Sequence, residues 1–133
     1  MGKYPFDFSG KEILVVEDNE MAFALISAML KQVRAGITRA RNGQEAIDVC
    51  CSDTPVDLVL MDLQLPQVDG YAATREIKRC HPGLPVIATT ANAFDEDREA
   101  CLQAGCDAYF SKPLHFMKLF ETMSACFRNG SVS

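Results

Sequence analysis

Three short apolar runs in this 133-residue chain each stop at a charged residue. Ile13-Leu14-Val15-Val16 stops at Glu17-Asp18, Leu58-Val59-Leu60-Met61 at Asp62, and Ala108-Tyr109-Phe110-Ser111 at Lys112-Pro113. If the runs are neighbouring parallel strands, three carboxylates and an ammonium collect at the carboxyl edge of one sheet, where open α/β folds keep their ligands. Carboxylates gathered so closely repel one another, and a hard divalent cation that takes oxygen ligands relieves the repulsion most simply. The pattern therefore points to a Mg²⁺ site with chemistry attached to it.

Asp62, between an apolar strand and the loop Leu63-Gln64-Leu65-Pro66, is placed to serve as both metal ligand and nucleophile. A carboxylate can attack a phosphoryl group and form an acyl phosphate, provided cations neutralise the equatorial oxygens. Mg²⁺ and Lys112 would supply that charge. Pro113 restricts the backbone of Lys112 to extended conformations and so limits where its side chain points. Thr90, beside small Ala91 at the end of a further apolar run, offers a hydroxyl to a phosphoryl oxygen and is preferred to Thr89 for that role. Each acidic residue taken alone is also compatible with a solvated turn carboxylate, since aspartate is common where strands end. The joint occurrence of all of them at successive strand ends argues for a site.

Strand-like and helix-like segments alternate along the chain, the signature of a parallel sheet covered by helices on both faces. The pattern predicts strands at 12–16, 37–40, 57–61, 84–89 and 108–111. Helices are predicted at 20–33, 44–51, 71–80 and 114–127. A further helix opens on Asp95-Glu96-Asp97, where the macrodipole favours negative charge, and closes at Gly105. Ala46, Ile47, Cys50 and Cys51 share one face of the second helix, and Phe116, Leu119, Phe120 and Met123 form the apolar stripe of the last.

The length suits one domain, expected over 11–128 with a leader or linker stub at 1–10 and a tail at 129–133. A hydrophobic share of 48% with 23% charged residues argues for a packed core, and the net charge of −5 disfavours nucleic acid. No run approaches the roughly 20 apolar residues of a membrane span, so no membrane contact is expected of this domain. The N-terminus lacks the apolar core of a signal peptide, and Phe6 stands where myristoylation wants Ser or Thr. A cytoplasmic location is expected, although a longer parent protein could be membrane-anchored. The six cysteines are read as reduced thiols in core or half-buried positions, the vicinal Cys50-Cys51 being the least secure. Asn129-Gly130-Ser131 matches a glycosylation sequon by accident, given no secretory signal.

The motifs Ile13-Leu14-Val15-Val16-Glu17-Asp18-Asn19, Met61-Asp62-Leu63-Gln64-Leu65-Pro66 with Asp69-Gly70, Ala88-Thr89-Thr90-Ala91-Asn92-Ala93 and Tyr109-Phe110-Ser111-Lys112-Pro113 resemble those of response regulator receiver domains, most closely receivers joined to hybrid sensor histidine kinases. The resemblance covers nearly the whole chain. It implies the (βα)5 flavodoxin-like fold, a five-stranded parallel sheet of strand order 2-1-3-4-5 with helices on both faces. It further implies that Asp62 accepts phosphate from a phosphohistidine, and that Glu17, Asp18, Asp62 and the Gln64 backbone carbonyl hold Mg²⁺. Thr90 and Lys112 would bind the phosphoryl group, and Tyr109 would turn inward with Thr90 as the switch. Glu17 stands where the family more often has aspartate.

The first helix carries no charge from Met21 to Leu30 and is apolar nearly all round, with Met21, Phe23, Leu25, Ile26, Met29 and Leu30 spread around it. That is either a core face covered by the leader or a docking surface for the helical bundle of a histidine kinase or histidine phosphotransfer domain. An output partner or a second copy would use the face of the fourth helix, fifth strand and fifth helix. His81 and His115 are expected at the surface and not as phosphate carriers. Two other readings stay open: a phosphate-independent interaction module, and an aspartate-nucleophile phosphatase. The latter lacks its usual general acid, because Gln64 occupies the position two residues after Asp62. The chain is expected to be either a stand-alone receiver or a piece of a longer protein, the latter preferred.

Overall fold

The computed structural model describes residues 4–65, 69–91 and 95–129. Five strands, β1 (Glu12–Val16), β2 (Gly36–Ala40), β3 (Leu58–Asp62), β4 (Val86–Thr90) and β5 (Ala108–Ser111), alternate with five helices. The helices are α1 (Glu20–Gln32), α2 (Gly43–Cys50), α3 (Gly70–Cys80), α4 (Asp95–Ala104) and α5 (Phe116–Asn129). All strands pair in parallel in the order β2-β1-β3-β4-β5, as the resemblance implied. Every residue of β3 and β4 is buried, as expected of central strands covered on both faces.

Alternation along the strands divides the core in two. Ile13, Val15, Leu58, Leu60 and Ile87 face α1 and α5, where Ile26, Leu30, Leu119, Phe120 and Met123 meet them. Leu14, Val16, Val59, Met61, Val86 and Ala88 face the other way, against Ala46, Cys50, Ala73, Ile77 and Cys101. The segment before β1 joins the first layer: Phe8 is buried and meets Phe120 and Phe127 edge-on, and Tyr4 packs on Phe120.

Element ends depart from the expectations for local reasons. Strand β3 begins at Leu58, not 57, because Asp57 instead closes on Glu12, donating its N–H to the Glu12 carbonyl and accepting the Glu12 N–H on its side chain. Strand β4 begins at Val86, after Pro85, which has no N–H to give a ladder. Helix α5 begins two residues later than expected, at Phe116, with His115 Nδ1 accepting from the Lys118 N–H in a capping role. Gly105 (φ +109) ends α4 as expected, with Cys106 N–H on the Cys101 carbonyl and Gly105 N–H on that of Leu102. The tail 130–133, Pro66 of the β3–α3 loop and Asn92-Ala93 lie outside the described residues.

The expectation of six reduced thiols is corrected. Cys51 and Cys80 form a disulfide, with Cα atoms 5.7 Å apart. Cys51 caps α2 and Cys80 closes α3, two helices packed side by side on one face of the sheet, and both residues are exposed. Cys51 therefore leaves the buried face expected of it, while its neighbour Cys50 points into the core, where burial pushes its thiol up to about 11. The bridge spans 29 residues of sequence, a loop whose closure contributes up to about 3–4 kcal/mol on the chain-entropy view. Thermal scans with and without reductant should differ by several degrees, and Cys51→Ser should match the reduced chain and ignore the reductant. Equal melting temperatures would show that the bridge contributes nothing.

Candidate active site

The ends of β1, β3, β4 and β5 bring the predicted residues to one edge of the sheet. Asp62 is the last residue of β3 and only 5% exposed; its register partner on β4 is Thr89, so Thr90 stands one residue further out. Glu17 follows β1 directly and is 2% exposed. Lys112 follows β5, donates its backbone N–H to the Thr90 carbonyl at 2.7 Å, and precedes a cis peptide bond to Pro113. Helix α3 starts close under this edge. A Cβ on Gly70 would lie 2.7 Å from Leu63 Cα and 2.8 Å from the Asp62 carbonyl oxygen, so only glycine permits the approach. Asp69, beside it, caps α3 by accepting from the Ala72 N–H.

The two buried carboxylates share one ammonium. Lys112 Nζ lies 3.1 Å from Glu17 Oε1 and 3.6 Å from Asp62 Oδ2. Asp62 Oδ1 accepts the Gln64 backbone N–H at 2.9 Å, and Glu17 Oε2 accepts that of Asn19 at 3.2 Å. Burial, and then the charge of Asp62, hold the Glu17 carboxyl above its ordinary range, against the hydrogen bond and charge of Lys112. Asp18 is exposed beside this pair and is not drawn into it. Among the described residues no three acidic, histidine or cysteine side chains form a ready-made metal cage. Thr90 is buried, and Tyr109 is half-buried against the core cluster, its register partner being Ala88 of β4. His81 and His115 are exposed.

Two contacts escaped the sequence reading. The Gln64 side chain accepts the Ala91 N–H at 3.2 Å, tying the loop after β3 to the loop after β4. Arg39 of β2 donates to the backbone carbonyls of Glu17 and Asp18. The one signal for the latter was a charged arginine within the short predicted strand 37–40.

Fold and cleft together define a flavodoxin-like α/β protein with a cluster of buried charged side chains at its strand ends. The family model of the response regulator receiver domain matches residues 13–124, and the chain belongs to that family. It is thus a receiver domain of two-component systems. The chain is similar to the polar-differentiation response regulator DivK of Brucella anthropi, 39% identical over 117 residues, which cover 86% of this chain and 94% of that protein. Among solved structures it resembles the receiver domain of sensor histidine kinase PA1611 from Pseudomonas aeruginosa, which carries a magnesium ion coordinated in its active site cleft. The identity is 39% and the TM-score 0.83, with 90% of this chain and 99% of that chain covered. It also resembles the receiver domain of the response regulator Ssk1 of Saccharomyces cerevisiae, in co-crystal with the histidine phosphotransfer protein Ypd1. That match has 26% identity and a TM-score of 0.83 over 92% of each chain. Among the described residues no helix is long and apolar enough to cross a membrane.

Proposed function

We propose that Asp62 is the phosphoacceptor and that the cleft holds Mg²⁺ through the Glu17, Asp18 and Asp62 carboxylates and the Gln64 backbone carbonyl. The observation that carries this is the charge balance of the buried cluster. Two carboxylates share a single lysine, and Glu17 is held above its ordinary range, so the cleft lacks positive charge at the point where a hard cation would sit. The metal-bearing neighbour supports the same reading. When bound, Mg²⁺ would neutralise charge on the transferring phosphoryl oxygens.

In the transfer, an Asp62 carboxylate oxygen attacks phosphorus while the bond from phosphorus to the donor's imidazole nitrogen breaks, and the imidazole leaves with its electron pair. Lys112 offsets the charge on the phosphoryl oxygens, and the Thr90 hydroxyl donates to one of them. The acyl phosphate adds negative charge at the end of β3. Drawing Thr90 toward it makes room for Tyr109 to turn inward, which changes the face built from α4, β5 and α5 that an output partner or a second copy would read.

The donor is a histidine-bearing helical domain that docks on α1. Met21 is 83% and Leu25 56% exposed, and the segment before β1 covers neither, since it packs on α5. Leu25 and Ile26 line a cleft of about 130 Å³ with Lys112, Leu114 and Phe116, so an apolar docking surface runs up to the reactive edge. Phe23, by contrast, lies under Arg39 and serves the loop. The reading puts the domain in the cytoplasm, with the donor.

Intact mass after incubation with acetyl phosphate and Mg²⁺ tests the chemistry: one phosphoryl group is expected, and none in Asp62→Asn or without metal. A phosphohistidine donor in place of acetyl phosphate tests the surface, with Leu25→Asp slowing transfer from the protein donor alone. No adduct with either donor, and no binding of beryllofluoride, would favour a phosphate-independent module. Equal slowing with both donors would remove the docking role of α1.

A further inference from the structure

Edge strand β2 supplies a residue to the cleft that the family motifs do not contain. Arg39 pairs in register with Val15 and shares its face of the sheet, the α1 side, at the carboxyl end of the strand. Its side chain is only 15% exposed. Nε and Nη2 donate to the Glu17 carbonyl at 3.3 and 3.0 Å, Nη2 reaches the Asp18 carbonyl at 3.4 Å, and Nη1 binds Glu20 Oε1 at 2.8 Å. The guanidinium plane sits over the Phe23 ring, 4.3 Å from its centroid.

An isolated surface ion pair of arginine and glutamate contributes little. This arrangement differs because a planar fork spends its donors on two consecutive carbonyls while stacked on a ring, a geometry lysine cannot reproduce. The β1–α1 turn is held from its other side by the Glu17 N–H on the Ala40 carbonyl at 3.0 Å, and by Asn19 capping α1 at the Ala22 N–H. With both carbonyls and the N–H engaged, the backbone of the acidic pair has one orientation, and so do the Cα–Cβ bonds that aim its carboxylates.

We propose that Arg39 is a positioning residue for Glu17 and Asp18, which sets the direction of their carboxylates through their backbone and thereby the affinity of the cleft for a divalent cation. The inference rests on the reading of the cleft as a Mg²⁺ site. It runs against simple charge: a guanidinium beside a cation site repels the cation, so an arginine acting only by its charge would weaken binding, and its loss would tighten it.

The test is Mg²⁺ titration calorimetry on the full chain and on Arg39→Met and Arg39→Lys, with melting temperatures in the absence of metal and the Mg²⁺ dependence of phosphorylation by acetyl phosphate. Methionine keeps an apolar stem over Phe23, and lysine keeps the charge without the fork. Groups that orient metal ligands typically change affinity by about 10–100-fold. The Mg²⁺ Kd of Arg39→Met should accordingly rise about tenfold, and that of Arg39→Lys should rise nearly as far. The phosphorylation rate at saturating Mg²⁺ should stay close to that of the unaltered chain. An unchanged or tighter Kd in Arg39→Met overturns the inference, as does a lower melting temperature with unchanged Kd, which marks a purely structural role. Should the unaltered chain bind no Mg²⁺, the cation reading itself fails and the inference falls with it.

Discussion

Lys112→Ala is expected to lower the rate of phosphorylation by acetyl phosphate on the order of 10²–10³-fold, the scale for removing one preorganised donor from developing charge. Lys112 is the cation that both buried carboxylates share, at 3.1 and 3.6 Å, and its side chain is 26% exposed. Without it Glu17 and Asp62 face each other across a dry edge with nothing between them but solvent entering through the mouth. Removing one partner of a fully buried pair costs about 3–5 kcal/mol, and the partial exposure here brings the expected loss to about 1–3 kcal/mol at neutral pH. Because Lys112 opposes the upward shift of Glu17, its removal moves that carboxyl further up. The lost stability should therefore return as pH falls and Glu17 takes up a proton. Mg²⁺ affinity should not fall, since a positive charge has left the cleft. Melting temperature against pH, calorimetry and phosphorylation rate together check this, and an unchanged rate at saturating Mg²⁺ would remove Lys112 from the reaction.

Glu17→Gln is expected to move stability and metal binding in opposite directions. The Glu17 carboxyl is held above its ordinary value of 4.5, by burial first and then by the charge of Asp62. A folded-state value above the unfolded one means that the folded chain binds the proton more readily. Stability from this group is then fully present below 4.5 and is lost as pH rises through the folded value. Where Glu17 is ionised it weakens the fold, and the neutral amide removes that penalty while Lys112 keeps Asp62 as its partner. The variant should melt a few degrees higher at pH 7 and show a flatter decline of stability as pH rises from about 4.5. Its Mg²⁺ affinity should fall at least as far as the roughly 10–100-fold seen when a group that merely orients a ligand is lost. The rise in melting temperature that Mg²⁺ gives the unaltered chain should shrink in step, since a ligand stabilises by mass action. A lower melting temperature in Glu17→Gln at pH 7 would mean that the ion pair with Lys112 outweighs burial and repulsion. The group would then be a structural anchor before it is a ligand.

Both variants probe residues that were legible in the sequence, and the reason is the parallel sheet. Apolar runs bounded by Glu17, Asp62, Thr90 and Lys112 read as strands whose ends must lie together, because consecutive βα units carry every strand in the same direction. The parallel sheet with helices on both faces and the gathering of those strand ends at one edge followed, whereas the strand order came from the resemblance to receiver domains. Gly105 was also visible as the end of a helix and Gly70 as part of a motif, although the close approach of α3 to Asp62 that Gly70 permits emerged only from the packed backbone.

Contacts across elements were settled by tertiary structure alone. The Cys51–Cys80 bridge depends on α2 and α3 lying side by side with their last turns level, a relation between helices that no local spacing encodes, and vicinal Cys50 and Cys51 differ only in which way the helix turns them. The segment before β1, read as a leader, contributes Phe8 to the core because α5 folds back over β1, more than 100 residues later in sequence. Arg39 gave no motif to read: its role exists only because β2 sits beside β1 in register, which carries its guanidinium over the turn that holds Glu17 and Asp18. Periodicity and strand-end chemistry act within a few residues and so survive in a linear sequence. Helix-to-helix height, edge-strand register and the direction of a long flexible side chain arise only when distant segments pack.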